Sequence, residues 1–391
     1  MRGAVRCDRS LIWITAVLVL VGMLTVYTAS VSIAERSFGG TSVFMRRNVL
    51  RTALGLIAML VAYNVDYRAY RKHARKALFA AFGLLALTLA FADPVRGMKG
   101  FWLMFQPSEL AKLALVVYLA DVLARKQENL DDFFRGVAPW LGLALGTIML
   151  VVLQPDYGSA LGMVCLVSVM LFLGGVRFRH LLGLAGVAAI GVSILARHVD
   201  YIAARVAVWK PTLDLSLEGL DLRGAAYQIY QSLVALGSGG LFGRGVGASL
   251  QRAFIPDSHT DFAFSIWGEE LGLVGTVGLV FVFALLMVRG LRIAKRAPDL
   301  YGTLLASGLT AMITTYAVIN IAVVTALVPT TGLPLPFVSY GGSSLIVSMA
   351  AVGILLNMSK RPVLDSGGRP VLVGAEKRWT DGPAVEGRAR A

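Results

Sequence analysis

The chain has 391 residues, 57% of them hydrophobic and only 15% charged, with a formal net charge of +14. A soluble domain carries about 25% charged residues, so a soluble globular protein is excluded. The basic excess does not point to nucleic acid either, because no zinc-finger spacing and no basic helix occurs outside the apolar frame.

Apolar runs near the roughly 17–25 residues that span a bilayer recur along the chain. Ten stand out: 11–33, 48–65, 77–92, 109–124, 137–154, 159–176, 180–197, 262–289, 303–327 and 341–358. The expected fold is an all-α integral membrane protein of about ten transmembrane helices. Residues 1–10 read as a cytoplasmic tail, 11–358 as one polytopic membrane domain, and 359–391 as a disordered cytoplasmic tail rich in Gly, Pro and charge. The first run is too long for a signal-peptide core and follows a basic tail, so it reads as a retained helix. Cys7 lies in that tail and Cys165 inside a span, so no disulfide and no cysteine metal site is expected.

Lys and Arg accumulate on the cytoplasmic side of membrane proteins. Here they gather in the N-terminal tail, at 68–76, 125–135, 177–179 and 289–296, and in the C-terminal tail. Even-numbered loops and both tails are therefore expected inside, giving an N-in, C-in chain. The long loop 198–261, between helices 7 and 8, is expected outside. Attraction to anionic headgroups accounts for the inner basic excess.

The segments that could carry chemistry fall mostly on the outer side. Arg96 and Lys99 precede Phe101 and Trp102, aromatics that also suit an interfacial belt. Gln106-Pro-Ser-Glu-Leu-Ala-Lys112 opens the fourth span, with Pro107 fit for a first turn and Ser108 a candidate cap. Glu109 and Lys112, three apart, share a face. They form either an internal ion pair or a cation presented to an anionic ligand and oriented by the glutamate. Gln154-Pro-Asp-Tyr-Gly158 reads as an external turn in which Asp156 caps the next helix or faces a site.

The long loop is partly structured. From Arg223 to Leu236, Ala226, Ile229, Tyr230 and Leu233 recur at helical spacing, which predicts a short amphipathic or re-entrant helix. Arg205 and Trp209-Lys-Pro211 form a basic-aromatic cluster suited to a phosphate or a sugar ring. Gly237 to Gly247 is glycine-rich around Arg244, but no strand or βαβ unit surrounds it, so a dinucleotide fingerprint is rejected. A tight surface turn or a backbone-lined path for a bulky ligand remains. His259-Thr-Asp-Phe-Ala-Phe264 leads into the eighth span, where Asp261 reads equally as a helix cap or a general base. Glu269 and Glu270 inside that span read as a structural pair with a neighbouring helix. Pro334-Leu-Pro-Phe-Val-Ser-Tyr-Gly-Gly-Ser-Ser344 joins a proline-broken loop to a turn at a helix start, irregular backbone that a bilayer tolerates only inside protein or around a wet cavity.

These segments, in this order on a ten-span frame, resemble the SEDS proteins (shape, elongation, division and sporulation), the FtsW/RodA group of bacterial peptidoglycan polymerases. The resemblance runs from about residue 10 to 360. It implies a glycosyltransferase of the bacterial inner membrane that polymerises lipid II on the extracytoplasmic side, for division or elongation. Asp261 falls on the family's catalytic aspartate, and Glu109 and Lys112 on residues lining its central cavity. Lys99, Arg205, Arg244, Asp156, His259, Ser339 and Ser343 are the further candidate substrate contacts. Implied partners are a class B penicillin-binding protein and other division or elongation proteins, with no nucleic acid. No metal-ligand cluster is visible; a divalent cation, Mg²⁺ or Mn²⁺, is the one cofactor that release of a diphosphate leaves open. The segment 97–102 departs from the family pattern by looking shortened, and Thr330 to Pro336 leans towards the division branch. The competing reading is a lipid II flippase, which needs a cavity and cations but no external base; a scaffold that only recruits division proteins ranks below both.

Overall fold

The structure, a computed structural model, describes residues 7–38, 42–91, 105–127, 136–213, 225–256 and 258–360, and the short segments 363–364 and 370–371. Among these residues there are twelve α-helices. They are α1 (Arg9–Phe38), α2 (Ser42–Asn64), α3 (Tyr67–Phe91), α4 (Pro107–Arg125), α5 (Ala138–Leu153), α6 (Tyr157–Leu173), α7 (Phe178–His198), α8 (Asp200–Leu213), α9 (Ala225–Ser238), α10 (Ala263–Lys295), α11 (Leu300–Val324) and α12 (Gly342–Met358). Ten of them coincide with the ten apolar runs. The predicted helix within the long loop is α9, while α8 forms where the sequence suggested only a basic-aromatic cluster. In the C-terminal tail, Val363–Leu364 pairs antiparallel with Pro370–Val371.

Five helices are long and apolar enough to cross a membrane by length and composition: Arg9–Ser30, Tyr67–Phe91, Phe178–His198, Ala263–Lys295 and Leu300–Val324. Ala138–Leu153, Tyr157–Leu173 and Gly342–Met358 are shorter apolar helices. The chain is an all-helical multi-pass membrane protein. α11 is central and packs against α4, α6, α10 and α12. α7 is peripheral, with no buried residue, and leans on α6 and α8. α2 and α12 pack closely, because Gly353 leaves room for the backbone of Met59, whose carbonyl oxygen would lie 2.3 Å from an added Cβ.

Local signals explain the helix ends near the site. Pro107 starts α4, Glu109 lies in its first turn and Arg125 in its last, each matching the helix dipole. Its N-cap is Gln106 rather than Ser108. Asp156 caps α6 by accepting from the Ser159 amide at 3.1 Å. α10 is broken at Gly272, whose φ of 66° suits glycine. The glycine-rich loop docks onto this break. Arg244 N and Gly245 N donate to the carbonyls of Glu269 and Glu270 (both 3.0 Å), and Leu273 N donates to Gly240 O at 2.9 Å. Backbone groups freed by the break are thereby satisfied inside protein. The glycine-rich stretch thus acts as a structural dock, in keeping with the surface-turn alternative.

The first turns of α4, α10 and α12 and the last turn of α11 lie at one end of the bundle. The start of α1, the basic start of α3 and the last turns of α10 and α12 lie at the other. At about 1.5 Å per residue, α10 spans this whole distance.

Candidate active site

At the first end, a cavity of about 540 Å³ is lined by Arg51, Gln106, Asp156, Arg205, Asp261 and Ser343, together with backbone and rings from 331–334 and 340–344. Two cations and two carboxylates therefore share one polar chamber. Its size suits a small-molecule site of roughly 300–1,000 Å³.

Asp261 sits just before α10. The N-cap of that helix is Phe262, and no side chain caps it, so the capping alternative for Asp261 does not hold for α10. Its backbone is fixed by Asn320, whose Nδ2 donates to Asp261 O at 2.8 Å and to Leu333 O at 2.7 Å. One buried amide thus ties the start of α10, the end of α11 and the proline-rich loop together. Asp156 both caps α6 and lines the cavity, and its second oxygen accepts from Gln106 Nε2 at 2.7 Å and Ser108 Oγ at 3.3 Å.

Arg205 comes from α8. Its Nη1 donates to Thr330 O at 2.6 Å, and its guanidinium lies 4.1 Å from the Tyr201 ring centroid. Trp209 Nε1 donates to Ala326 O at 2.9 Å, so α8 as a whole clamps the segment that follows α11. Burial pulls the Arg205 pKa down, while Tyr201 and Asp261 act to hold the charge. Arginine stays protonated under such shifts, so a cation faces Asp261.

Sequence reasoning passed over Arg51. It reaches in from α2 and lies 4.3 Å from the Tyr340 ring centroid. The available signal was its place inside the second apolar run, since a charge within a span marks a paired or functional site. Gln228 of α9, Tyr201 and Thr331 also line the chamber and were likewise missed.

Several expected contacts lie elsewhere. Glu109 and Lys112 are both 3% exposed and pair at 2.6 Å, with Lys112 Nζ 3.9 Å from the Tyr316 ring centroid. They are absent from the chamber lining. The internal-pair alternative describes their geometry, one turn into α4 and away from the chamber lining. Arg244 pairs with Glu269 at 3.4 Å beneath the glycine-rich loop, outside the chamber, because the buried carboxylate needs a counter-charge. Glu269 also accepts from Ser249 Oγ at 2.5 Å and from the amides of Leu250 and Gln251, both at 3.1 Å. A further donor, Ser238 Oγ at 3.3 Å, comes from the end of α9, so Glu269 ties both the loop and a neighbouring helix to α10. Ser339 Oγ accepts from Leu335 N at 2.9 Å and shapes the loop from within. His259 is 7% exposed, its ring meets that of Tyr340 at 5.3 Å in a tilted pair, and its backbone carbonyl accepts from Tyr340 N at 2.8 Å, so it holds the chamber residue Tyr340 in place. Ser343 does line the chamber, and its Oγ accepts from Gln106 N at 2.9 Å. Lys99 lies outside the described residues.

A second, apolar cavity of about 330 Å³ adjoins the chamber between α5, α6, α7 and α8. The two share Tyr157, Gly158, Tyr201, Arg205 and Thr331 as a common wall. A polar chamber thus lies beside an apolar cavity that faces the peripheral helix α7, an arrangement that suits a charged headgroup on a long hydrocarbon chain.

Comparison with known proteins agrees with this architecture. The family model FtsW/RodA/SpoVE, described as cell cycle protein, matches residues 9–362. Stage V sporulation protein E of Bacillus subtilis is 40% identical over 365 residues, covering 90% of this chain and 97% of that protein. A probable peptidoglycan glycosyltransferase FtsW of Geobacter metallireducens is also 40% identical over 365 residues, covering 91% of this chain and 95% of its own. Among solved structures, a chain of a peptidoglycan synthase complex that coordinates polymerization and crosslinking superposes with a TM-score of 0.72 at 30% identity, over 90% of this chain and 97% of that one. The rod shape determining protein RodA of Thermus thermophilus superposes at 0.66 with 31% identity, over 90% and 96%.

Proposed function

We propose, from the premise that this chain belongs to the FtsW/RodA/SpoVE family of cell cycle proteins and is a peptidoglycan glycosyltransferase, that its polar chamber polymerises lipid II with Asp261 as general base. One observation carries the proposal. Asp261 and two arginines share a chamber that has a common wall with an apolar cavity.

The donor is a glycan whose muramic acid C1 bears an α-linked undecaprenyl diphosphate. The acceptor is the 4-hydroxyl of the glucosamine on a second lipid II. The hydroxyl oxygen attacks C1 from the face opposite the diphosphate, so the new β-1,4 bond forms with inversion. Asp261 takes the hydroxyl proton, a role worth roughly 10²–10⁴ in rate. The C1–oxygen bond breaks with its electron pair going to the diphosphate. That leaving group needs positive charge, not a proton, and Arg205 and Arg51 supply it from the chamber wall. One displacement needs no second carboxylic acid, unlike glycoside hydrolysis, where a sugar oxygen departs. The polyprenyl chain runs into the apolar cavity beside α7. Among the described residues no group of three or more His, Cys, Asp or Glu side chains is arranged as a metal-ligand set, and no step is assigned to a divalent ion.

The basic end of the bundle, with Arg71, Lys72, Arg75, Arg289 and Arg296, is the cytoplasmic one. The chamber then opens on the outer face of the bacterial inner membrane. The partner is a class B penicillin-binding protein that cross-links the emerging strand, in keeping with the polymerization and crosslinking complex whose chain this one resembles.

The test is polymerisation of purified lipid II by the full chain with its partner, comparing wild type with Asp261→Asn. Loss of glycan with an unchanged melting temperature is expected. Equal glycan from both would overturn the assignment and favour the flippase, which has no use for an external base.

A further inference from the structure

A third and larger cavity, about 1040 Å³, lies at the end of the bundle opposite Asp261, where the start of α1 meets the last turns of α10 and α12. Four cations line it, Arg9, Arg289, Arg296 and Lys360, against one carboxylate, Asp8. Asp8 is held in place by its own backbone, whose amide donates to Ser359 Oγ at 3.0 Å, and it meets Arg289 at 3.8 Å. Lys360 is turned inward, donating to Tyr63 O at 2.7 Å and lying 3.8 Å from that ring centroid. Among the described residues neither Arg9 nor Arg296 has an ion-pair partner, and both are exposed. Among the described residues the lining therefore carries a net positive charge.

The surroundings of the pocket identify the class of ligand. α1 and α10 pack against each other below it. Trp13, one turn past Arg9, is 72% exposed, and Val17, Leu20, Met287 and Val288 continue an exposed apolar surface along the same two helices. An exposed tryptophan beside arginines is the signature of headgroup depth in a bilayer. The cationic pocket is thus continuous with a surface that faces acyl chains, whereas a soluble anion would need only the charges.

We propose that this pocket seats the phosphate of an anionic phospholipid, with its acyl chains lying against α1 and α10. The site is separate from the chamber at Asp261 and is read without any measurement of glycan synthesis. Arginine suits it because its fork of donors matches phosphate oxygens.

The test uses the full chain in neutral detergent, titrated with dioleoylphosphatidylglycerol or dioleoylphosphatidylcholine, with retained lipid counted by native mass spectrometry. Wild type is compared with Arg9→Gln/Arg296→Gln and with a control of equal charge loss at the same end, Lys72→Gln/Arg75→Gln on α3. The expected result is a retained phosphatidylglycerol and no retained phosphatidylcholine in wild type and control. In the pocket variant its relative affinity falls roughly 30-fold, the scale of two arginines at an anionic membrane surface. All four substituted side chains are exposed, so matching melting temperatures are expected. Equal loss in both double variants would show diffuse surface attraction and overturn the proposal. Displacement of the lipid by an equal concentration of glycerol phosphate would show a site for free phosphates and overturn it equally.

Discussion

Lys112 Nζ lies 2.6 Å from Glu109 Oε1, with side chains only 3% and 4% exposed, one helical turn into α4 below the chamber. Removing one partner of such a buried pair strands the other charge and costs about 3–5 kcal/mol, whereas replacing both is often close to neutral. Lys112→Met is therefore expected to lower the melting temperature sharply in detergent, and Glu109→Gln/Lys112→Met to recover most of the loss. Additive losses in the double variant would show that the two side chains act separately.

Arg51 reaches the chamber from a helix that supplies no other named polar group to it. If it meets the departing diphosphate, Arg51→Ala should lower glycan synthesis by about 10²-fold, the scale of one lost electrostatic donor, with an unchanged melting temperature. Arg51→Lys should recover part of the rate, since it restores the charge but not the fork. Full activity of Arg51→Ala, measured with lipid II and the partner, would confine the residue to packing on Tyr340.

Two glycines of α10 should respond oppositely to the same substitution. At Gly272 an added Cβ would fall 2.4 Å from Gly243 N, in a backbone with φ of 66°. At Gly278 it would meet nothing within 4 Å. Gly272→Ala is expected to cost several kcal/mol, seen as reduced folded yield and melting temperature, because strain and a backbone clash add. Gly278→Ala should be neutral or stabilising by up to about 1 kcal/mol, from helix propensity alone.

Glu269 and Arg244 should separate in the same way. Glu269 is fully buried and holds the loop through Ser249, Leu250 and Gln251. Glu269→Gln is expected to speed hydrogen exchange at residues 244–251 and to destabilise by about 2–4 kcal/mol, as a charged acceptor is lost from several donors. The Arg244 side chain is 40% exposed and Glu269 keeps its donors from Ser249, Leu250 and Gln251, so Arg244→Ala should cost less than Glu269→Gln, about 1–2 kcal/mol. It should also leave glycan yield within about twofold, since Arg244 is not part of the chamber. A large loss of yield in Arg244→Ala at normal stability would return this residue to the substrate site.

The sequence by itself determined the membrane class, the ten helices that match its apolar runs, the helix α9 inside the long loop, and a set of candidates in which Asp156, Arg205, Asp261 and Ser343 do share one chamber. Those are properties of composition, of periodicity, and of segments short enough to be read locally. Only the tertiary structure decided that Arg205 rides on a helix that clamps the loop after α11, that Arg51 joins from α2, that Glu109 and Lys112 are sealed against each other, and that Arg244 answers to Glu269. The physical reason is that a charge placed near a bilayer must find a partner or water. Which of the two it finds depends on how helices distant in sequence come together in space.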